Sequence, residues 1–111
     1  MLIAGNGRER ESLEQLVKEK KVGAIYNWLG YTTKINQYLN VCDVLVACSY
    51  REGLPLNLVE AMLCGKPIVA SINRGHRELV KNDVNGYLVS PDDPQDFLKK
   101  YVKFCKVIRT I

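Results

Sequence analysis

The fold is set by residues 44–70, which read VLVACSYREGLPLNLVEAMLCGKPIVA. Two apolar runs, residues 44–48 and 67–70, flank a segment that opens with Pro55 and repeats its apolar residues at helical spacing as far as Gly65. A continuous apolar run is typical of a parallel strand that is buried on both faces. Proline favours the first turn of a helix and glycine favours its end. The stretch is therefore predicted to form a strand–helix–strand unit.

The same alternation extends in both directions along the chain. Further strands are predicted at residues 2–4, 24–29 and 87–89, and further helices at residues 11–20, after Thr32 or Thr33, near residues 77–81 and from Asp93 onward. In the last helix Asp93 supplies the cap, Pro94 the first turn and Asp96 an acid at the third position. Strands that alternate with helices form a parallel sheet with right-handed crossovers. We therefore predict an α/β fold, an open parallel sheet with helices on both faces.

Composition sets the broad class of the protein. The 111 residues are 47% apolar and 25% charged, which is typical of a globular domain and excludes a disordered or collagen-like chain. No apolar run approaches the ~20 residues of a membrane span, and the first residues lack the pattern of a signal peptide. We expect one domain over residues 1–111, located in the cytoplasm.

Charge and cysteine usage bear on partners and redox state. The net charge of +4 comes from scattered basic residues, without the dense stripe and exposed aromatics of a nucleic-acid surface. The lysines of the last helix are expected to form a solvated face, and binding of this helix to anionic lipid is left open. The cysteines lie in or beside apolar segments without a CxxC pair, so we expect reduced core residues, no disulfide and no zinc. They are Cys42, Cys48, Cys64 and Cys105.

Three loops are candidate sites, because ligands of an open parallel sheet bind beyond the carboxyl ends of its strands. The loop Gly5-Asn6-Gly7 begins like a dinucleotide fingerprint, but Arg10 takes the place of the third glycine, and a tight turn is the simpler interpretation. The loop after residue 70 holds His76, the only histidine, for which we expect a cap or surface role.

The loop after residue 48 carries the most chemistry. It places Glu52 before a predicted helix and Glu60 inside that helix. Gly53 lets the backbone approach a ligand closely, and the free N–H groups of a helix N-terminus attract an anion. A carboxylate at Glu60 could accept hydrogen bonds from the two hydroxyls of a ribose. The alternative, left open by the residues alone, makes Glu52 a solvated loop acid and Glu60 a surface residue.

These segments resemble the donor-sugar motif of family 4 retaining glycosyltransferases. The motif is a glutamate followed, after seven residues, by a second glutamate, here Glu52 and Glu60. The segments GKPIVA at 65–70, GHRELV at 75–80 and NGYLV at 85–89 are similar to those of bacterial exopolysaccharide and capsule glycosyltransferases. The resemblance extends from about residue 2 to residue 104.

The resemblance implies a fold and a set of site residues. The family pairs two Rossmann-like domains in the GT-B fold, and this chain is similar to part of the C-terminal, donor-binding one, truncated at both ends. By the resemblance Glu60 would bind the ribose, and Glu52, Gly53 and Leu54 would contact the donor sugar. The backbone of the residues that follow would hold the diphosphate, namely Pro55, Leu56, Asn57 and Leu58. Gly30 and Tyr31 would border the base.

The implied activity is transfer of a sugar from a nucleotide-diphosphate sugar, UDP-linked by expectation, to a glycan or lipid-linked acceptor with retention of configuration. Such a hexosyltransferase would need no metal or cofactor, and the sequence holds no Asp-x-Asp motif. The acceptor site would lie in an N-terminal domain that this chain lacks, so no catalytic residue is assigned and the isolated chain is expected to be inactive. Self-association is left open, as is a function as a non-enzymatic nucleotide-sugar-binding module. The sugar, acceptor and linkage also stay open.

Overall fold

The computed structural model describes residues 1–109, with the side chains of residues 1–104. Its contacts divide the chain into two compact units, Met1–Ile35 and a second unit that begins at Asn36. Strands and helices alternate in both units, as the hydrophobic pattern predicts.

The first unit holds two short parallel strands, β1 (Leu2–Ala4) and β2 (Asn27–Gly30), connected by α1 (Arg10–Glu19). A 3₁₀ turn at Gly23–Ile25 precedes β2, so the prediction of a strand from residue 24 is wrong at its start. The turn forms because the Ile25 N–H donates to the Val22 carbonyl over 3.1 Å, which is incompatible with extended backbone there. No residue of α1 is fully buried.

The second unit contains a three-stranded parallel sheet in the order β3-β4-β5. Its elements in chain order are α2 (Ile35–Val41), β3 (Leu45–Ala47), α3 (Leu56–Leu63), β4 (Ile68–Ser71), α4 (Arg74–Leu79), β5 (Gly86–Val89) and α5 (Pro94–Arg109). Helices connect successive strands because a parallel pair needs a long crossover. The parallel α/β architecture is thus present, although the strands of the two units form two sheets rather than the single sheet that we predicted.

The core of the second unit surrounds the central strand. Every residue of β4 is buried, and Val69 pairs with Val46 on one side and with Tyr87 on the other. The buried apolar residues of this core are Leu39, Ala47, Leu58, Ala61, Ile68, Val69, Ala70, Val80 and Val89. Each buried Leu, Ile or Val stabilises the fold by about 1.5–3 kcal/mol. The apolar run at residues 67–70 therefore marks the core correctly. The run at residues 44–48 does not become a fully buried strand, because β3 lies at the edge of the described sheet and only Ala47 of its residues is buried.

Helix α5 begins as the sequence predicts and packs on β5. The Asp96 N–H donates to Asp93 Oδ1 over 3.0 Å, which is the predicted cap. The Phe104 ring lies 5.4 Å from the Tyr87 ring, and two lysines of α5 lie over that ring. Part of the basic face of α5 is thus engaged with β5. None of the described helices combines the length and apolarity that crossing a membrane requires.

Candidate functional site

The loop between β3 and α3 delivers its chain directly to a helix N-terminus. Pro55 is the N-cap residue, with extended backbone at φ −79° and ψ 91°, and α3 begins at Leu56. The N–H groups of Leu58 and Val59 both donate to the Pro55 carbonyl, over 3.0 and 3.3 Å. The amides of Leu56 and Asn57 lie ahead of these first helical hydrogen bonds and are therefore available to a ligand.

This geometry narrows the predicted diphosphate contacts. Pro55 has no N–H to donate, and the N–H of Leu58 is already used inside the helix. Of the four residues expected to hold the diphosphate through the backbone, Leu56 and Asn57 keep a free donor. The partial positive charge of the helix N-terminus acts at the same place.

The two glutamates of the motif lie on different elements of the site. Glu52 is half-buried in the loop, and Glu60 is exposed on α3. Within the described residues neither carboxylate has a hydrogen-bond or salt-bridge partner in the protein. Both are free to accept hydrogen bonds from ligand hydroxyls. Gly53 and Leu54, also predicted to contact the sugar, are exposed between them.

An open cavity of about 460 Å³ lies where this loop meets the start of α4. It is lined by Tyr50, Arg51, Glu52, Gly53, Asn73 and Arg74. Two of the predicted sugar-binding residues, Glu52 and Gly53, therefore border one cavity with residues that the sequence analysis did not select. Among the described side chains, Arg74 forms only a long, exposed ion pair with Glu78, at 3.8 Å.

Helix α4 begins three residues earlier than predicted, and its start is tied to the same loop. Asn73 caps the helix by accepting the His76 N–H over 2.9 Å. The Gly75 N–H donates to the Glu52 carbonyl over 3.0 Å. His76 itself is fully buried, so the expected surface role is wrong. The ring is buried because its Nδ1 reaches the Ser71 carbonyl at 2.7 Å, at the end of the central strand.

Ser71 and Asn73 were not predicted as site residues, although the sequence contains a signal for Asn73. Asparagine is a preferred N-cap residue, and here it stands directly before the helix that contains His76. No comparable signal marks Ser71, because its partners are the backbone carbonyls of Ala47 and Ser49. Backbone acceptors have no signature in a sequence.

The remaining predicted site residues lie in the first unit. Gly30 ends β2 with φ of 65°, and its carbonyl accepts the Gly5 N–H over 2.7 Å. Tyr31 is 81% exposed. Their place beside the base stays a prediction.

The Gly5 loop is occupied by its own side chains. Arg10 donates to Asn6 Oδ1 over 2.7 Å, pairs with Glu14 at 2.9 Å and lies over the Trp28 ring. The arginine that replaces the third glycine of a dinucleotide fingerprint thus holds the loop together, consistent with a turn.

The remaining predictions concern the cysteines and a metal site. Cys42, Cys48 and Cys64 are free thiols, but none of them is fully buried, so their predicted core position is wrong. Each directly follows the last residue of a helix or strand instead of lying within it. The Cys105 side chain lies outside the described residues. Within the described side chains, no three His, Cys, Asp or Glu residues come together as a metal site would require.

Comparison with known proteins identifies the family. Residues 1–106 match the family described as Glycosyl transferases group 1. The chain belongs to this family. The family assignment that the motif suggested is therefore confirmed.

Three relatives of this group 1 glycosyltransferase chain illustrate the match. It is 32% identical over 100 residues to EpsD of Bacillus subtilis, which is named as a glycosyltransferase, and the match covers 90% of this chain and 26% of EpsD. It is 36% identical over 75 residues to a protein of Escherichia coli named UDP-Gal:α-D-GlcNAc-diphosphoundecaprenol α-1,3-galactosyltransferase, covering 68% of this chain and 19% of that protein. The crystal structure of Anabaena Alr3699/HepE in complex with UDP superposes with a TM-score of 0.83 at 32% identity, covering 94% of this chain and 30% of that one.

These comparisons confirm the α/β class and the GT-B relationship of this group 1 glycosyltransferase chain. The chain spans less than a third of the length of each relative. It stays a prediction that these residues bind the donor and that another domain binds the acceptor.

Proposed function

We propose that this chain is the donor-binding part of a retaining hexosyltransferase that uses a UDP-sugar. The observation that carries the proposal is the arrangement around the start of α3. The amides of Leu56 and Asn57 lie ahead of the first helical hydrogen bonds, with Glu52 before them in the chain and Glu60 after them, and neither carboxylate is paired with a described residue. This combination offers an anion site together with two hydroxyl acceptors.

Each part of the donor has a matching group. The diphosphate would accept hydrogen bonds from the Leu56 and Asn57 amides, favoured by the helix dipole. The ribose hydroxyls would donate to Glu60, and hydroxyls of the transferred sugar would donate to Glu52 at the cavity. Hydrogen bonds to a charged group contribute about 1.5–3 kcal/mol each. Gly30 and Tyr31 would border the base.

The relatives support the donor and acceptor classes. One solved relative was crystallised with UDP, and the name of the Escherichia coli relative gives UDP-galactose as donor and a lipid diphosphate as acceptor. The proposal therefore includes a glycan or lipid-linked acceptor, as in exopolysaccharide synthesis, held by a part of the enzyme outside these residues. It assigns no metal and no cofactor to the donor site.

Location and association extend the same proposal. We also propose a cytoplasmic location, with contact to a lipid surface through those lysines of α5 that are exposed. Tyr50, Leu54 and Leu56 leave exposed apolar surface beside the site. Such a patch favours association, either with another domain of the enzyme or with a second copy of the chain.

Titration of the ¹⁵N-labelled chain with UDP and with 2′-deoxy-UDP tests the proposal. We expect UDP to shift the Leu56 and Asn57 amide resonances and to bind with Kd near the millimolar range, or about −4 kcal/mol. Loss of the 2′-hydroxyl removes a donor to Glu60, so 2′-deoxy-UDP should bind more weakly. Equal affinity for both nucleotides, or shifts confined to other residues, contradicts the site. Uridine without phosphates is the control for the anion contribution.

A non-enzymatic nucleotide-sugar-binding module makes the same prediction for UDP. It differs only in turnover, because a binding module linked to its natural neighbouring domain would transfer no sugar. Assay of the whole protein that contains this chain separates the two functions.

A further inference from the structure

Three polar side chains are buried behind the β3–α3 loop, namely Ser71, Asn73 and His76. Their exposed fractions are 0%, 8% and 0%. Burial of polar groups destabilises a fold unless hydrogen bonds replace those lost to water. The bonds that these side chains form therefore show what the burial achieves.

The hydrogen bonds define the state of the His76 ring. Nδ1 lies 2.7 Å from the Ser71 carbonyl oxygen, which can only accept, so Nδ1 carries the proton and donates. Asn73 Nδ2 lies 3.1 Å from the same nitrogen, but it donates to the Ser49 carbonyl over 3.0 Å. Asn73 Oδ1 accepts the His76 N–H. These bonds fix the orientation of the ring and place a proton on Nδ1.

The other ring nitrogen has no partner. Nε2 is buried and unpaired within the described residues. A buried polar atom without a hydrogen-bond partner is unfavourable, and each instance in a folded protein calls for an explanation. The side-chain hydrogen bond that the ring does form is that of Nδ1, which connects the start of α4 to the end of β4.

The same helix start holds the donor loop. The Gly75 N–H, next to His76, donates to the Glu52 carbonyl over 3.0 Å. Asn73 and Ser71 both bond to the Ser49 carbonyl at the other end of the loop segment. The backbone on both sides of Arg51 is thus fixed by one cluster of buried groups, and Glu52 emerges from it into the cavity.

We infer that His76 is a positioning residue for recognition of the donor sugar. Its Nδ1–H bond to Ser71 fixes the start of α4, and α4 in turn fixes the backbone of Glu52. The inference rests on the proposed function, in which Glu52 contacts the sugar. Glu60 and the amides of α3 receive no hydrogen bond from this cluster, so the UDP part of the donor should be insensitive to it.

Two variants separate hydrogen bonding from packing. His76→Asn places an amide donor near the position of Nδ1. His76→Leu fills more of the volume of the histidine ring than asparagine does, but it has no donor. For each chain the Kd of UDP is compared with that of UDP-glucose, UDP-galactose and UDP-N-acetylglucosamine. The ratio of the UDP Kd to the best UDP-sugar Kd measures the contribution of the sugar.

We expect a ratio of about ten in the parent chain, the lower end of what a hydrogen bond to a charged group provides. His76→Leu should lower the ratio to about one while the UDP Kd changes less than about twofold, and His76→Asn should retain most of the ratio. Asn73→Asp keeps the acceptor for the His76 N–H but loses the donor to Ser49. Asn73→Asp should also lower the ratio. This variant is used in place of His76→Leu if the leucine variant does not fold.

Several results overturn the inference. An unchanged ratio in His76→Leu, or in Asn73→Asp where it is the substitute, shows that the cluster does not position Glu52. Loss of UDP affinity in parallel with sugar affinity shows a general structural role. A ratio retained by His76→Leu and lost by His76→Asn shows that volume matters rather than the bond. A parent that binds UDP without any gain from the sugar removes only the Glu52 assignment and this inference, whereas a parent that does not bind UDP removes the proposed function itself.

Discussion

The N–H of Gly75 donates to the carbonyl oxygen of Glu52 over 3.0 Å, and this close contact leaves no space for a side chain on residue 75. A Cβ atom on residue 75 would lie 2.6 Å from the carbonyl oxygens of both Glu52 and Gly53. Glycine is therefore required by the close approach of α4 to the donor loop, not by its own backbone angles. This contact connects the stability of the second unit to the geometry of the site.

Gly75→Ala should destabilise the second unit by about 1–3 kcal/mol, because the new methyl group would push the carbonyls of Glu52 and Gly53 away from α4. Helix propensity alone predicts the opposite sign, a gain of about 1 kcal/mol for alanine in a helix. Urea unfolding measures the change. The matched control is Gly53→Ala, where no atom lies within 4 Å of the added Cβ and the change should stay within about 0.5 kcal/mol. A stabilised Gly75→Ala chain shows that the contact is absent in solution.

Glu60→Gln should weaken UDP binding by roughly 1–2 kcal/mol, because the ribose hydroxyls lose a charged acceptor. The free energy of unfolding should change by less than about 0.5 kcal/mol, since Glu60 is exposed and unpaired. Chemical-shift titration with UDP and urea unfolding measure the two quantities. Glu19→Gln, an exposed acid at the end of α1, controls for the change in net charge. If Glu60→Gln unfolds early and binds UDP as the parent does, Glu60 is structural.

The isolated chain should transfer no sugar from any UDP-sugar to a simple acceptor. Transfer requires donor and acceptor to be held in one geometry, and this chain spans 26% of EpsD and 30% of the Anabaena structure. Incubation with radiolabelled UDP-sugars measures the activity, with heat-denatured chain as the blank. Product above the blank level shows that these residues alone hold both substrates.

Tyr87 should contribute to stability mainly through its ring. Tyr87→Phe loses the 2.9 Å hydrogen bond to Asp83, which is exposed and worth at most about 1 kcal/mol. Tyr87→Leu also loses the ring pair with Phe104 and the cation contacts of Lys100 and Lys103, each worth about 0.5–1 kcal/mol. The free energy of unfolding, measured with urea, should therefore be lower for Tyr87→Leu than for Tyr87→Phe. Equal losses show that the α5 contacts contribute nothing.

Some strands and helices could be predicted from the sequence more accurately than others. The central strand β4 was recognisable because all of its residues are buried, so its sequence is apolar as far as Ala70 and only its last residue, Ser71, is polar. The start of α5 was recognisable because a cap is a local interaction, here between Asp93 and Asp96. The strand predicted from residue 24 failed at its start, since an apolar run of that length also suits the 3₁₀ turn at Gly23–Ile25.

By itself the sequence determined the α/β class, the glycosyltransferase family and the loop that carries Glu52 and Glu60, because apolar periodicity, caps and a motif of fixed spacing are properties of neighbouring residues. Only the tertiary structure placed α4 against that loop and buried His76 and Ser71 behind it. The physical reason is that these contacts use the backbone carbonyls of Ser49, Glu52 and Ser71 as acceptors. Every residue has such a carbonyl, so its partner is decided by how the chain folds and not by which side chain it carries.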